Sequence, residues 1–161
     1  MITLEKLSVA EAYRLDDEEP IRLRLDDEIS LIITTFAAHS DVRGVFVVDE
    51  MNRFAGVITR TDLLDWARVK LGAVLFGPRV DMEKSIRIAT LVHASKIGDI
   101  LRPETSKIAV LGSDRLARAA RLMIEANLIV LPVIDEGQQI IGSLTLSELL
   151  NAALTTTEDD Q

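Results

Sequence analysis

The hydrophobic and polar positions of this chain follow the same order twice. Residues 21–25 alternate apolar and basic side chains, as a half-buried strand does, and residues 107–111 form a more apolar counterpart. An acidic capping candidate follows each strand, at residues 26–28 and 113–114, and predicts the start of a helix. The apolar positions at helical spacing are Ile29, Ile32, Ile33 and Phe36 in the first copy and Leu116, Ala120, Met123 and Ile124 in the second.

Each of these helices is followed by two strands and a second helix. Short β-branched runs at residues 45–49 and 131–135 end in turn residues, and further strands are predicted at residues 54–59 and 140–145. The predicted second helices begin at Thr61 and Ser147, with these residues as N-caps. The sequence therefore predicts an α/β fold of two strand–helix–strand–strand–helix repeats.

The two copies also match residue by residue. Val47-Val48-Asp49-Glu50 returns as Val133-Ile134-Asp135-Glu136, and Gly56-Val57-Ile58-Thr59-Arg60-Thr61-Asp62 returns as Gly142-Ser143-Leu144-Thr145-Leu146-Ser147-Glu148. Both pairs share one offset, 86 residues, from 47 to 133 and from 56 to 142. A common offset in two separated blocks indicates an internal duplication.

Composition sets the limits of the domains and of the chemistry. The chain has 161 residues, of which 48% are hydrophobic and only 4% aromatic, so we expect a packed, largely aliphatic core. We predict a first repeat at residues 8–68, a linker with an additional helix at 69–96, a second repeat at 97–154 and a flexible acidic tail at 155–161. A feeder segment precedes each copy, near residues 9–13 and 97–101.

The formal net charge of −8 disfavours nucleic acid and anionic membranes as partners. The absence of cysteine excludes disulfides and thiolate sites, and His39 and His93 have no spaced ligand set, so no metal is expected. The polar start of the sequence does not resemble a signal peptide, and we expect a cytoplasmic protein.

The duplicated block carries the candidate chemistry, because it stands where a strand passes into a helix. Unpaired N–H groups in the first helical turn attract phosphate. Asp62 offers two oxygens to the hydroxyls of a ribose, Thr59 and Thr61 supply hydroxyl groups, and Arg60 is placed to reach a phosphate. The alternative is that Thr61 and Asp62 only cap a helix, and the motif by itself leaves both interpretations open.

The doubled unit, with Val-Val-Asp ending its middle strand and Gly-Val-Ile-Thr-Arg-Thr-Asp-Leu-Leu opening its last helix, resembles the CBS (cystathionine-β-synthase) repeat. The resemblance covers residues 8–68 and 94–154. It implies two repeats packed through their sheets about a pseudo-twofold axis, with two clefts for AMP, ADP, ATP or S-adenosylmethionine.

The resemblance also implies the residues of each cleft. The first cleft would use Thr59, Arg60, Thr61, Asp62, Ser106, Lys107, Ile108, Ile129 and Val130. The second would use Pro20, Ile21, Arg22, Arg43, Gly44, Thr145, Ser147 and Glu148. Glu148 replaces aspartate and Leu146 replaces Arg60, so we expect the first cleft to bind an adenine nucleotide more tightly.

Three classes of function remain for this sequence. A non-catalytic regulatory module that binds an adenosyl ligand and acts on a separate partner explains both the duplication and the Asp62 motif. A ligand-free module for dimerisation or protein interaction explains the fold alone. An enzyme has no support, because no nucleophile–base set or metal cluster can be named. A homodimer is expected from the aliphatic faces of the second helices. Removing the Asp62 carboxylate is expected to cost the fold only ~0.3–1 kcal/mol.

Overall fold

The computed structural model describes residues 4–13, 21–76 and 91–158. The helices are α1 (Val9–Ala12), α2 (Ile29–Ala38), α3 (Arg60–Phe76), α4 (Ile97–Ile100), α5 (Leu116–Ala126) and α6 (Leu146–Glu158), with a 3₁₀ helix at Pro103–Lys107. The strands are β1 (Arg22–Arg24), β2 (Gly44–Val48), β3 (Phe54–Thr59), β4 (Val110–Leu111), β5 (Val130–Ile134) and β6 (Ile140–Thr145). The predicted α/β fold and the predicted element order of both repeats are confirmed.

Each repeat forms its own three-stranded sheet, β1-β2-β3 and β4-β5-β6. The first strand of each sheet runs parallel to the second, with Leu23 opposite Val47 and Val110 opposite Val133. β5 and β6 are antiparallel. Val47 and Val133 are 86 residues apart whereas their partners are 87 apart, so the copies differ by one residue between the first helix and the second strand.

The chain divides into two compact units, each holding one sheet. The Asp62 unit consists of Arg22–Met51 and Ala55–Thr105. The Glu148 unit consists of Met1–Ile21, Asn52–Phe54 and Ser106–Gln161.

The feeder helices are exchanged between the repeats. α1 precedes the first repeat in sequence but belongs to the Glu148 unit, where the Val9 N–H donates to Asp114 O and the Leu116 N–H donates to Leu7 O. α4 precedes the second repeat but belongs to the Asp62 unit, where the Ile97 N–H donates to Asp27 O. Each unit therefore includes a helix that precedes the other copy in sequence.

The core of each unit is largely aliphatic, as composition predicted. In the Asp62 unit it includes Ile32, Val45, Val47, Val57, Ile58, Ile97 and Ile100. In the Glu148 unit it includes Val9, Leu116, Ala119, Leu131, Val133, Leu144 and Leu149. Two of the apolar positions at helical spacing are exposed: Ile33 and Ile124 are 39% and 81% exposed, because each lies beside its helix's buried stripe.

The predicted helix starts are also corrected. Glu28 and Arg115 are the N-caps of α2 and α5 and make no side-chain capping bond. Asp27 instead accepts the Arg24 N–H, and Asp114 accepts the Leu111 N–H. These carboxylates therefore close the turn that leaves the first strand, a role that aspartate commonly takes.

The ends of the second helices differ from the sequence-based limits. α3 continues to Phe76, past the predicted end of the first repeat at residue 68. α6 reaches Glu158, inside the segment predicted as a tail. The helix predicted near residues 82–93 lies mostly outside the described residues, although residues 91 and 92 are helical. Within the described ranges, no helix is long and apolar enough to cross a membrane.

Candidate functional site

The duplicated block forms a capping box in both units. The Thr59 N–H and hydroxyl donate to Asp62 Oδ2 at 2.9 and 3.1 Å, and the Asp62 N–H donates to Thr59 Oγ1 at 3.3 Å. Thr145 and Glu148 repeat all three bonds at 2.9, 2.9 and 3.1 Å. The N-caps are thus the threonines that end β3 and β6, because the capping box needs its carboxylate three residues later. The prediction of Thr61 and Ser147 as N-caps is wrong.

The carboxylate of Asp62 is buried and paired. Its side chain is only 2% exposed, and Oδ1 accepts a charge-assisted hydrogen bond from Arg102 Nε at 2.7 Å. The Arg102 guanidinium also lies 3.5 Å from Glu104, through Nη1 and Oε1. A buried carboxylate is stable only when paired and hydrogen-bonded, and Arg102 meets that requirement here.

The segment that carries Arg102 is fixed against β3. The buried Thr105 hydroxyl accepts the Val57 N–H at 3.1 Å and donates to Arg102 O at 2.7 Å. A Cβ at Gly56 would lie 2.5 Å from Thr105 Oγ1 and 2.9 Å from Leu101 Cδ1. Gly56 is therefore required by the close approach of this segment to the strand.

Arg60 is committed to the end of α2. Its Nε donates to Val42 O at 2.8 Å, and Nη2 donates to Phe36 O and His39 O at 3.1 and 2.8 Å. The guanidinium also stacks 4.7 Å from the centroid of the Phe36 ring. This cation satisfies carbonyls that the helix leaves unpaired at its C-terminus. A contact between Arg60 and phosphate stays a prediction, and it would have to compete with these bonds.

The Glu148 junction borders a cavity of about 720 Å³ within its own unit. The cavity is lined by Thr145, Ser147 and Glu148, together with Glu11, Tyr13 and Asn151. Among the described lining residues two are acidic and none is lysine or arginine. This cavity is therefore electrostatically unfavourable for a phosphate.

The remaining predicted residues of the Asp62 unit gather near its capping box. The Arg60 N–H donates to Arg43 O, and Gly44 begins β2. Arg22 begins β1, and its Nε is buried with no hydrogen-bond partner among the described residues.

The remaining predicted residues of the Glu148 unit lie at one edge of its sheet. Val130 pairs with Thr145, and the Leu146 N–H donates to Ile129 O. Ser106 and Lys107 are exposed residues that end the 3₁₀ helix and lead through Ile108 into β4. Ile21 also belongs to this unit, whereas Pro20 lies outside the described residues. That predicted residues of both units bind one ligand together stays a prediction.

Sequence reasoning missed Arg102, Thr105 and Tyr13. The signal for two of them is a glycine inside each predicted strand, because such a residue often marks a close approach. Thr105 covers Gly56, and a Cβ at Gly142 would lie 2.8 Å from Tyr13 Cε2. The Asp62–Arg102 pair joins residues 40 positions apart and has no local signal.

Each feeder helix contains a carboxylate with a lowered pKa, Glu11 in α1 and Asp99 in α4. Backbone and side-chain hydrogen bonds from Ser8 lower the pKa of Glu11 below its ordinary value. The backbone N–H groups of Lys96 and Ser95 lower the pKa of Asp99. In each case hydrogen bonds to the charged form favour ionisation.

The two capping boxes form the same bonds at the same junction of each copy. A comparison with known protein families also finds a repeated unit. A sequence model of the CBS domain matches residues 10–68 and 97–155. The chain belongs to the CBS domain family. It contains two CBS repeats, as the sequence resemblance predicted.

Similar proteins include other CBS pairs. The chain is 30% identical over 139 residues to the chloroplastic CBS domain-containing protein CBSX2 of Arabidopsis thaliana, covering 81% of this chain and 55% of the relative. The chain thus spans about half the length of this relative. Since the relative is named as chloroplastic, a cytoplasmic location for the present chain stays a prediction.

Solved structures of CBS proteins share the fold. The structure of CBSX2 in complex with AMP has a TM-score of 0.66 at 23% identity, covering 93% of this chain and 98% of that one. A CBS domain-containing protein from Thermotoga maritima has a TM-score of 0.65 at 25% identity, with 92% and 95% coverage. The CBS pair of protein MJ0100, with 5′-methylthioadenosine and S-adenosylmethionine, has a TM-score of 0.57 at 18% identity, with 94% and 98% coverage.

Proposed function

We propose that this CBS pair is a non-catalytic regulatory module that binds an adenine nucleotide and transmits its binding to a separate protein partner. The observation that carries the proposal is the duplicated Thr-x-x-carboxylate junction at the start of a helix, in a chain of the CBS family. Two solved CBS proteins of the same fold hold adenosyl compounds, which supports this ligand class. S-adenosylmethionine is the alternative ligand within the same class.

We place the phosphate-bearing nucleotide at the Asp62 junction rather than at the Glu148 junction. Arg60 and Arg102 bring two guanidinium groups to the Asp62 junction. The cavity beside Glu148 is lined by two carboxylates and, among its described residues, by no cation. Opposite charge favours phosphate at the first junction, and like charge opposes it at the second.

The test is calorimetric titration with AMP, ATP, adenosine and S-adenosylmethionine. Asp62→Asn preserves the shape of the side chain, and Glu148→Gln is its matched control. Hydrogen bonds to a charged acceptor contribute ~1.5–3 kcal/mol each, so we expect Asp62→Asn to weaken AMP binding by about tenfold or more. Glu148→Gln should leave AMP affinity within about twofold of the parent, a difference of ~0.4 kcal/mol at 1.4 kcal/mol per decade.

Unfolding must be measured on the same variants, because the structure changes the expected stability cost. The Asp62 carboxylate is buried and holds both Thr59 and Arg102, so its loss costs about 1–3 kcal/mol, more than the sequence alone indicated. No binding of any adenosyl compound by the parent would reject the proposed function. Unchanged AMP affinity in folded Asp62→Asn would reject this location.

A second candidate is a dimerisation module. Ile124 is 81% exposed in the Glu148 unit, where Leu150 and Leu154 are also exposed, and Leu64 and Leu71 are exposed in the Asp62 unit. Exposed aliphatic side chains of this kind are common in protein interfaces. Light scattering that gives a dimer mass, together with no adenosyl binding, would favour this alternative.

A further inference from the structure

We infer that Arg102 is an internal competitor for the adenosyl ligand and thereby determines the preference for phosphorylated over unphosphorylated ligands. This inference rests on the proposed function, since it concerns binding at Asp62. Arg102 is not among the residues that the sequence assigned to either site. It affects the affinity for the ligand because it donates a hydrogen bond to the Asp62 oxygen that the ligand would use.

The hydrogen bonds of the carboxylate show where competition arises. Asp62 Oδ2 already accepts two bonds from Thr59, and these bonds also hold the start of α3. Oδ1 accepts the 2.7 Å bond from Arg102 Nε. The side chain of Asp62 is 2% exposed, so a ribose hydroxyl must approach the oxygen beneath the guanidinium. A ligand therefore has to displace the Arg102 side chain.

Arg102 is suited to such an exchange. Its side chain is 35% exposed, and its second carboxylate neighbour, Glu104, is 65% exposed. The guanidinium can therefore move into water, whereas the buried Asp62 Oδ1 loses a charge-assisted hydrogen bond unless another donor takes its place. Arg102 then remains in place until another donor replaces it, and a ribose hydroxyl is such a donor.

The backbone of Arg102 stays anchored while its side chain moves. Arg102 O accepts both the Thr105 N–H at 3.0 Å and the Thr105 hydroxyl at 2.7 Å. Thr105 is itself held to β3 by the Val57 N–H. A displaced guanidinium thus stays within a side-chain length of the junction, where a phosphate can bind it. The phosphate of a nucleotide replaces the carboxylate that the displaced Arg102 has lost. A nucleoside has no phosphate and offers Arg102 no such partner.

The inference is tested by titrating adenosine and AMP against the parent, Arg102→Gln and Arg102→Lys. Without the competing guanidinium, Arg102→Gln should bind adenosine about tenfold more tightly, and its ratio of AMP to adenosine affinity should fall about tenfold. Arg102→Lys keeps the charge without the planar guanidinium and should lie between the two. The matched control is Arg68→Gln, which breaks the exposed Arg68–Asp65 pair on α3 and should change neither affinity.

The outcomes separate this inference from the proposed function. A parent that binds AMP, with an Arg102→Gln variant that binds adenosine no more tightly, overturns the inference and leaves the function standing. An equal loss of both affinities in Arg102→Gln shows that Arg102 only maintains the shape of the junction, which also overturns it. Binding of AMP but not adenosine by the parent, together with binding of adenosine by Arg102→Gln, supports both. No adenosyl binding by any folded variant rejects both.

Discussion

The two strand–helix junctions have the same capping bonds but differ in what covers the carboxylate. Thr59 with Asp62 and Thr145 with Glu148 form equivalent capping boxes. Arg102 and Thr105 cover the first junction, whereas the second borders a cavity of about 720 Å³ lined by Glu11 and Tyr13. The comparison shows that the duplicated carboxylate is explained by helix capping in both copies. Under the proposed function, a difference in ligand binding between the two junctions would come from the segments that cover the carboxylate.

The first helices of the two repeats, α2 and α5, correspond in position but end in different ways. α2 is terminated by Arg60, which reaches back from α3 to its last carbonyls. α5 is terminated locally by Asn127, whose φ of 54° places it in the left-handed region. Asparagine is one of the few residues that tolerate this region. Leu146 stands at the position of Arg60 and cannot donate such hydrogen bonds. The C-cap at Asn127 ends α5 instead.

The largest expected effect comes from filling the two strand glycines. Gly56→Ala places a Cβ 2.5 Å from the buried, hydrogen-bonded hydroxyl of Thr105, and overpacking of this kind costs about 1–3 kcal/mol. Gly142→Ala meets the edge of Tyr13, a half-buried ring that can tilt, and should cost less. Urea unfolding of both variants measures the difference. An equal or larger loss in Gly142→Ala would show that the Tyr13 ring is at least as rigid as the segment around Thr105.

An intermediate effect is expected at the helix ends. Arg60→Met keeps an apolar stem over Phe36 but removes the hydrogen bonds to three carbonyls, and should cost about 1 kcal/mol. Asn127→Ala should cost a similar amount because alanine is disfavoured in the left-handed region by about 1–2 kcal/mol. Asn127→Gly is the control and should retain stability. If Arg60→Met leaves unfolding unchanged, α2 does not depend on this cation.

The smallest effect is expected from pH, and it compares the feeder helices. The lowered pKa values of Glu11 and Asp99 mean that each carboxylate stabilises the fold above its unfolded pKa. That contribution is lost as the pH falls below about 4.5 for Glu11 and about 3.8 for Asp99, through their folded values. Thermal unfolding of Glu11→Gln and Asp99→Asn should therefore depend less on pH in this window. Parallel pH profiles for parent and variants would contradict this expectation.

The sequence predicted the features that depend on local pattern. The offset of 86 residues and the β-branched runs led to the correct element order and to the CBS family. The starts of the second helices and their N-caps differ from the prediction by one or two residues, because Thr59 and Thr61 are equally good caps by composition, and only the partner three residues later distinguishes them. Met123 and Ile124 both fit the helical spacing of apolar residues in the sequence, and only Met123 is buried.

The features that the sequence did not predict depend on contacts between distant segments. Arg102 pairs with Asp62 across 40 residues, and Arg60 reaches a carbonyl 24 residues earlier. Neither contact can be predicted from the periodicity or the composition of the sequence. The ligand residues remain predictions for the same reason, since the motif marks the junction and not its partners.

The exchanged feeder helices have a consequence for how this protein can be dissected. A fragment that begins at residue 97 carries α4 without the Asp27 and Leu25 carbonyls that receive it. The same fragment lacks α1, so the Gly112 and Asp114 carbonyls lose their donors. A repeat cut out along its sequence limits is therefore not an autonomous folding unit. A shortened chain that joins α1 directly to the segment starting at Ser106 follows the physical unit instead of the sequence repeat.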